Sequence, residues 1–143
     1  MAEALVEARR AGAAGEVPVG AVLLAGDGTV YARAGNAVEA LRDPTAHAEM
    51  LVLRQASLTM GNHRLEGCVL AVTLEPCLMC AGALAHARLA GLVYGAADRR
   101  AGAVDSCLDG LEQPFLNHRV WHMGGVCEAE CSAVLRDFFE ERR

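Results

Sequence analysis

The chain has 143 residues, a formal net charge of −5 and a 53% hydrophobic composition. That length suits one domain spanning 1–143, and that composition excludes disorder. The acidic balance excludes a protein that coats nucleic acid by bulk electrostatics. All thirteen basic residues are Arg, so any nucleic-acid site must be a local patch on an acidic surface. No apolar run reaches the length of a membrane span, and Met1-Ala2-Glu3-Ala4-Leu5 lacks a basic region followed by an apolar core. The expectation is a cytoplasmic protein without membrane contact, in which six Cys are thiols and not a disulfide framework.

In chain order, Glu3 to Gly12 predicts a short helix, with Arg9 and Arg10 near the end where cations suit the helix dipole. Val17 to Ala25 predicts a strand, Gly26-Asp27-Gly28 a turn, and Val30 to Ala34 the returning strand of a hairpin. Asp43-Pro44 has the form of a helix start, with Asp as cap and Pro at the first position, and the helical pattern runs from His47 to Met60. Cys68 to Leu74 is a continuous apolar run of the kind found in interior strands. Pro76 to Arg88 predicts a helix, Leu89 to Gly95 a strand and Ser106 to Leu111 a short helix. Val120 to Met123 predicts the last strand, and Glu128 to Arg142 a closing helix with Val134, Leu135, Phe138 and Phe139 on its apolar side. A hairpin followed by strands alternating with helices implies an α/β fold, a mixed sheet with helices on both faces.

Two stretches carry chemistry: Pro44-Thr45-Ala46-His47-Ala48-Glu49 and Pro76-Cys77-Leu78-Met79-Cys80. Cys77 and Cys80 fall on one face of a helical turn. At a helix N-terminus, unpaired N–H groups and the dipole favour the thiolates that bind metal. His47 can add a neutral nitrogen. Two Cys and one His leave one position of a tetrahedral zinc for water, the mark of a catalytic site and not a closed structural one. Glu49 is not needed as a ligand, and its better use is proton transfer. A lone C-x-x-C would also fit a redox pair or half of a four-Cys zinc site, but the second half is missing. Cys127 and Cys131 have helix-face spacing and read as ordinary free Cys, and Cys68 and Cys107 as core residues.

His-x-Glu followed by Pro-Cys-x-x-Cys is a known signature of zinc-dependent nucleobase deaminases. Here the chain resembles the cytidine deaminase-like superfamily, and within it the bacterial tRNA-specific adenosine deaminases. The flanking segments carry the narrower resemblance: Glu16 to Val22, Asn36, Asn62-His63-Arg64-Leu65, Val72 to Ala83, Tyr94 to Asp98, Asn117 to Val120 and Asp137-Phe138-Phe139. The resemblance implies a three-layer α-β-α cytidine deaminase-like fold with a five-stranded mixed sheet. It also implies hydrolytic deamination of the wobble adenosine to inosine in a tRNA anticodon stem-loop. It implies one zinc per subunit on His47, Cys77 and Cys80, with Glu49 as proton shuttle and a homodimer as the assembly. Substrate contacts carry over onto Asn36, Ala48, Leu74, Asp98 and Asn117. Arg99, Arg100 and Arg119 are candidates for a phosphate-binding patch. The nearest alternative is the same chemistry on a free base or nucleoside, of guanine or cytosine type. Further alternatives are a non-catalytic partner subunit and a redox protein using Cys77 and Cys80.

Overall fold

The computed structural model describes residues 1–143. Ten elements follow one another: α1 (Ala2–Ala13), β1 (Gly20–Leu24), β2 (Val30–Gly35), α2 (Val38–Leu41), α3 (Ala48–Met60), β3 (Val69–Leu74), α4 (Leu78–His86), β4 (Gly91–Ala96), β5 (Trp121–Met123) and α5 (Glu128–Glu140). The strands form one sheet in the order β2-β1-β3-β4-β5. The β1–β2 hairpin is antiparallel, with Gly20 opposite Gly35, and β1 also runs antiparallel to β3. From β3 onward the pairing is parallel, Val72 lying opposite Tyr94, because α4 carries the chain back over one face between β3 and β4. Helices α1 and α5 pack on one face and α3 and α4 on the other. The result is the expected three-layer α-β-α arrangement around a five-stranded mixed sheet. No helix is long and apolar enough to cross a membrane.

The core lies mainly between the sheet and the α3–α4 layer. Leu23, Leu70, Val72 and Leu92 from the strands meet Val52 and Leu84 from the helices, all nearly inaccessible. On the other face, small residues bring α1 down onto the sheet, and Ala4 and Ala8 have no exposed surface. Gly20 makes that approach possible. A Cβ there would stand 2.0 Å from the Ala4 carbonyl oxygen and 2.4 Å from the Ala8 nitrogen.

Several expected boundaries shift. The Asp43-Pro44 pair does not start a helix. Asp43 Oδ1 instead accepts the Thr45 N–H at 2.8 Å and the Thr45 hydroxyl at 2.7 Å, a local turn that competes with helical hydrogen bonding. The helix waits until Ala48, with His47 as its extended N-cap residue. Pro76 likewise lies outside α4, and Cys77 is the N-cap. Strand β1 begins at Gly20 and not at Val17. No helix forms over residues 106–111, where the backbone runs in turns held by side chains of other segments. Helix α2 has too few residues to leave a periodic signal, and it exists because the buried Glu16 carboxylate accepts the N–H groups of Glu39 (3.2 Å) and Ala40 (2.9 Å).

Gly20→Ala is expected to destabilise the protein by about 1–3 kcal/mol through overpacking against α1, measured by urea unfolding.

Candidate active site

The N-terminus of α3 and the N-terminus of α4 meet at the C-terminal edge of β3. Each contributes its N-cap residue: His47 with an extended backbone at φ −71° and Cys77 at φ −74°. Cys80 follows in the first turn of α4 and is fully buried. His47 Nδ1 lies 3.7 Å from Cys77 Sγ and 3.6 Å from Cys80 Sγ. All three donor atoms fall within 4.8 Å of one another.

These residues fit zinc. With Zn–S of about 2.3 Å and Zn–N of about 2.0 Å, a tetrahedral ion sets nitrogen and sulfur about 3.5 Å apart, close to the spacing here. The donor set, one imidazole and two thiols, is the one zinc prefers. One of the thiols, Cys77, is also prepared to ionise. The hydrogen bond from Cys80 holds Cys77 well below the usual thiol range, at about 5, and the backbone N–H groups of Cys80 and Met79 and the nearby His47 act in the same direction. Cys80 is pushed up correspondingly, first as the donor of that bond and then by burial.

Glu49 sits in the first turn of α3, 4% exposed. Burial pushes its carboxyl up to about 7, against the opposing pull of its backbone N–H, His47 and Cys80. It lines the same cleft as His47 and Cys77. That cleft has a volume of about 460 Å³, with Asn36 and Val38 on one side and Leu74, Asp98 and Ala101 on another. The arrangement offers three metal donors, a carboxyl close to neutrality and an enclosed space for a flat ring, the set of parts needed for metal-assisted hydrolysis.

The other expected contacts divide. Asn36, Leu74 and Asp98 line the cleft. Asn36 Oδ1 accepts the Ala48 N–H at 2.9 Å, so the NH₂ end of Asn36 is the part that can donate to a ligand. This changes the reading of Ala48: it is fully buried, its N–H is engaged by Asn36, and its contribution is to orient that side chain. Asn117 is not brought to the cleft. It lines a separate groove of about 1510 Å³ with Leu58, Arg88 and Phe115. Arg119 pairs with Glu112 at 3.2 Å.

Among the cleft residues that the sequence reading did not single out as site residues are Glu16, Glu75, Phe138 and Arg142. Arg142 stacks over the Phe138 ring at 3.6 Å, placing a cation from the end of α5 beside the cleft. Glu75 carried a signal, an acidic residue between the buried run Val-Thr-Leu and Pro76. Burial works to raise its pKa, but hydrogen bonds from Ser106, Asp105 and Asp98 outweigh it and leave the carboxyl below its usual range.

Residues 1–96 match the family model described as the cytidine and deoxycytidylate deaminase zinc-binding region. A tRNA-specific adenosine deaminase from Agrobacterium fabrum is 50% identical over 140 residues, which cover 98% of this chain and 91% of that protein. A solved structure from a study of A-to-I editing by tRNA:A34 deaminases at the wobble position superposes with a TM-score of 0.91 at 49% identity, covering 94% of this chain and 97% of the other. A guanine deaminase from Bacillus subtilis is more distant, with a TM-score of 0.65 and 29% identity over 99% of this chain and 90% of the other. The chain therefore belongs to the zinc-dependent cytidine deaminase family, in the branch formed by the tRNA-specific adenosine deaminases.

Zinc at 100 times its Kd is expected to stabilise the wild-type protein by about 2.7 kcal/mol. Cys80→Ala should lose that gain, together with the stoichiometric zinc seen by elemental analysis of the purified wild type.

Proposed function

We propose that the protein converts the wobble adenosine of a tRNA anticodon loop to inosine by hydrolysis. The observation that carries this reading is an uncommitted buried carboxyl, Glu49, beside the His47–Cys77–Cys80 donor set, in a chain half identical to a tRNA-specific adenosine deaminase along almost its whole length. His47, Cys77 and Cys80 would hold the ion. Zinc, when bound, supplies Lewis-acid activation of the attacking water. Glu49 accepts a proton from that water as its oxygen bonds to C6 of adenine, and returns a proton to N1 of the ring. Glu49 then takes the proton of the new C6 hydroxyl and delivers it to the amine as the C6–N bond breaks, so that C6 becomes a carbonyl and the amine leaves as ammonia. Water and adenosine go in; inosine and ammonia come out.

Asn36 would donate to the purine edge, and Leu74 would pack against its face. A base inside a stacked helix cannot reach such a cleft, whereas one turned out of an anticodon loop can. With a net charge of −5, affinity for the RNA would come from local cations such as Arg142, Arg99 and Arg100, not from long-range attraction. We propose a cytoplasmic location, which a tRNA substrate supports. We also propose a homodimer. Its support is the second groove, where Leu58 is 85% exposed and Phe115 80% exposed, a patch that a second copy would cover.

Glu49→Ala is expected to retain zinc and the far-ultraviolet circular dichroism of the wild type while losing about 10²–10⁴-fold in turnover. Retained turnover at the wild-type rate would refute the shuttle. Separate incubations with an anticodon stem-loop and with free guanine test the substrate. Inosine formed in the stem-loop supports the proposal; turnover of guanine alone rejects it.

A further inference from the structure

Glu75 takes no part in the chemistry above, yet it is among the most buried charged residues of the chain, 2% exposed. The hydrogen-bond partners of its carboxylate all belong to one segment, residues 98–106. Oε1 accepts the N–H groups of Val104 (3.2 Å), Asp105 (2.8 Å) and Ser106 (2.9 Å), while Oε2 accepts the Asp98 N–H (3.0 Å) and the Ser106 hydroxyl. We propose that Glu75 is a positioning residue for the deamination: it fastens this loop to the turn carrying Cys77 and so fixes the Asp98 wall of the cleft relative to the metal donors. The inference rests on the proposed function only in taking the cleft as the substrate site.

The surrounding geometry argues for a fastening and not for incidental burial. Next to Glu75, the Pro76 carbonyl accepts the Ala103 N–H at 2.8 Å, and Cys77 forms an isolated β-bridge with Gly102. The same loop is thus tied to the two residues following Glu75. Gly102 is required for this closeness, because a Cβ there would lie 2.4 Å from the Glu75 carboxyl. The far side of the loop is held separately. The Asp105 carboxylate accepts the Tyr94 hydroxyl at 2.5 Å and lies 3.3 Å from His122 Nε2. Asp98 is held directly by Glu75 and Ala101 directly precedes the bridge at Gly102, and both line the cleft. A carboxylate is the only side chain of this length that accepts on both oxygens at once. An amide has one accepting end, so whichever way it turns, at least one buried N–H of the loop loses its acceptor.

The test uses Glu75→Gln in the full-length zinc-loaded protein, with Gly102→Ala as a second variant that presses on the carboxylate without removing its charge. For both, zinc per chain should equal the wild type. Amide hydrogen exchange should accelerate about tenfold at Asp98 or at Val104–Ser106, the loss of roughly one buried hydrogen bond, with β1 and β3 amides unaffected. KM for the stem-loop should rise about tenfold while kcat stays within about threefold, the split expected when binding geometry and not chemistry is disturbed. Unchanged loop exchange in Glu75→Gln would overturn the proposal, as would loss of zinc. Faster loop exchange with an unchanged KM would reduce Glu75 to a purely structural role and overturn it as well. If the wild type turns over guanine and not the stem-loop, the proposed substrate fails, but exchange and zinc content still read this inference without any substrate, and the KM comparison is made with guanine. Should Glu75→Gln fail to fold, Gly102→Ala decides by the same three readings.

Discussion

Everything in this molecule depends on two helix N-termini being brought face to face at the end of one buried strand. Helix α3 presents His47 and helix α4 presents Cys77, each as the last extended residue before the helix begins. That placement serves several purposes. The partial positive charge at each N-terminus favours thiolate and carboxylate. The extended N-cap backbone turns the side chain away from its own helix. The following turn then supplies Glu49 from α3 and Cys80 from α4, both buried behind the caps. The sheet holds the two ends in register: β3 leads directly into the Cys77 turn, and β2, two places along in the sheet, leads into the segment that ends at His47.

Around that junction lie three buried glutamates, and their partners assign them different tasks. Glu16 accepts backbone N–H groups from α2 and so stabilises the wall that bears Asn36 and Val38. Glu75 does the equivalent on the opposite wall. At Glu49 burial outweighs the opposing contacts and disfavours its charge. At Glu75 the surrounding hydrogen-bond donors hold the carboxyl below its usual range, and it acts as structure. A carboxylate with its charge poorly compensated can exchange a proton. The same side chain thus serves as scaffold at two positions and as reactive group at the third.

The sheet, its five strands and the metal donors were legible in the sequence because each has a local cause. The apolar run over Val69–Leu74 reads as an interior strand whatever surrounds it, and His47, Glu49, Cys77 and Cys80 are marked by residue type and spacing. What escaped reading depends on residues distant in the chain. The expected helix over 106–111 is replaced by turns whose amides reach back about thirty residues to Glu75. Helix α2 forms because of Glu16, more than twenty residues earlier. The Asp43-Pro44 pair misled for a local reason: an Asp side chain can bond a turn as readily as it caps a helix, and here Thr45 offers it both an N–H and a hydroxyl. Asn117 was placed by resemblance alone, and it faces a groove remote from the donors within this chain.

The connection between β4 and β5 spans residues 97–120 and contains no helix or strand. Its hydrogen bonds to the reactive centre go to the Glu75 carboxylate and the Pro76 carbonyl, a bridge joins it to Cys77, and Val104, Leu111 and Val120 anchor it in the core. Chemistry and selectivity are therefore written in separable stretches of sequence. The elements that hold the donors belong to the sheet and its two inward helix ends, whereas Asp98 and Ala101 in one wall of the cleft belong to the long connection between two strands. A lineage could exchange the exposed part of that connection, and with it the shape of the molecule it admits, while the proton-handling apparatus passes unaltered from ancestor to descendant.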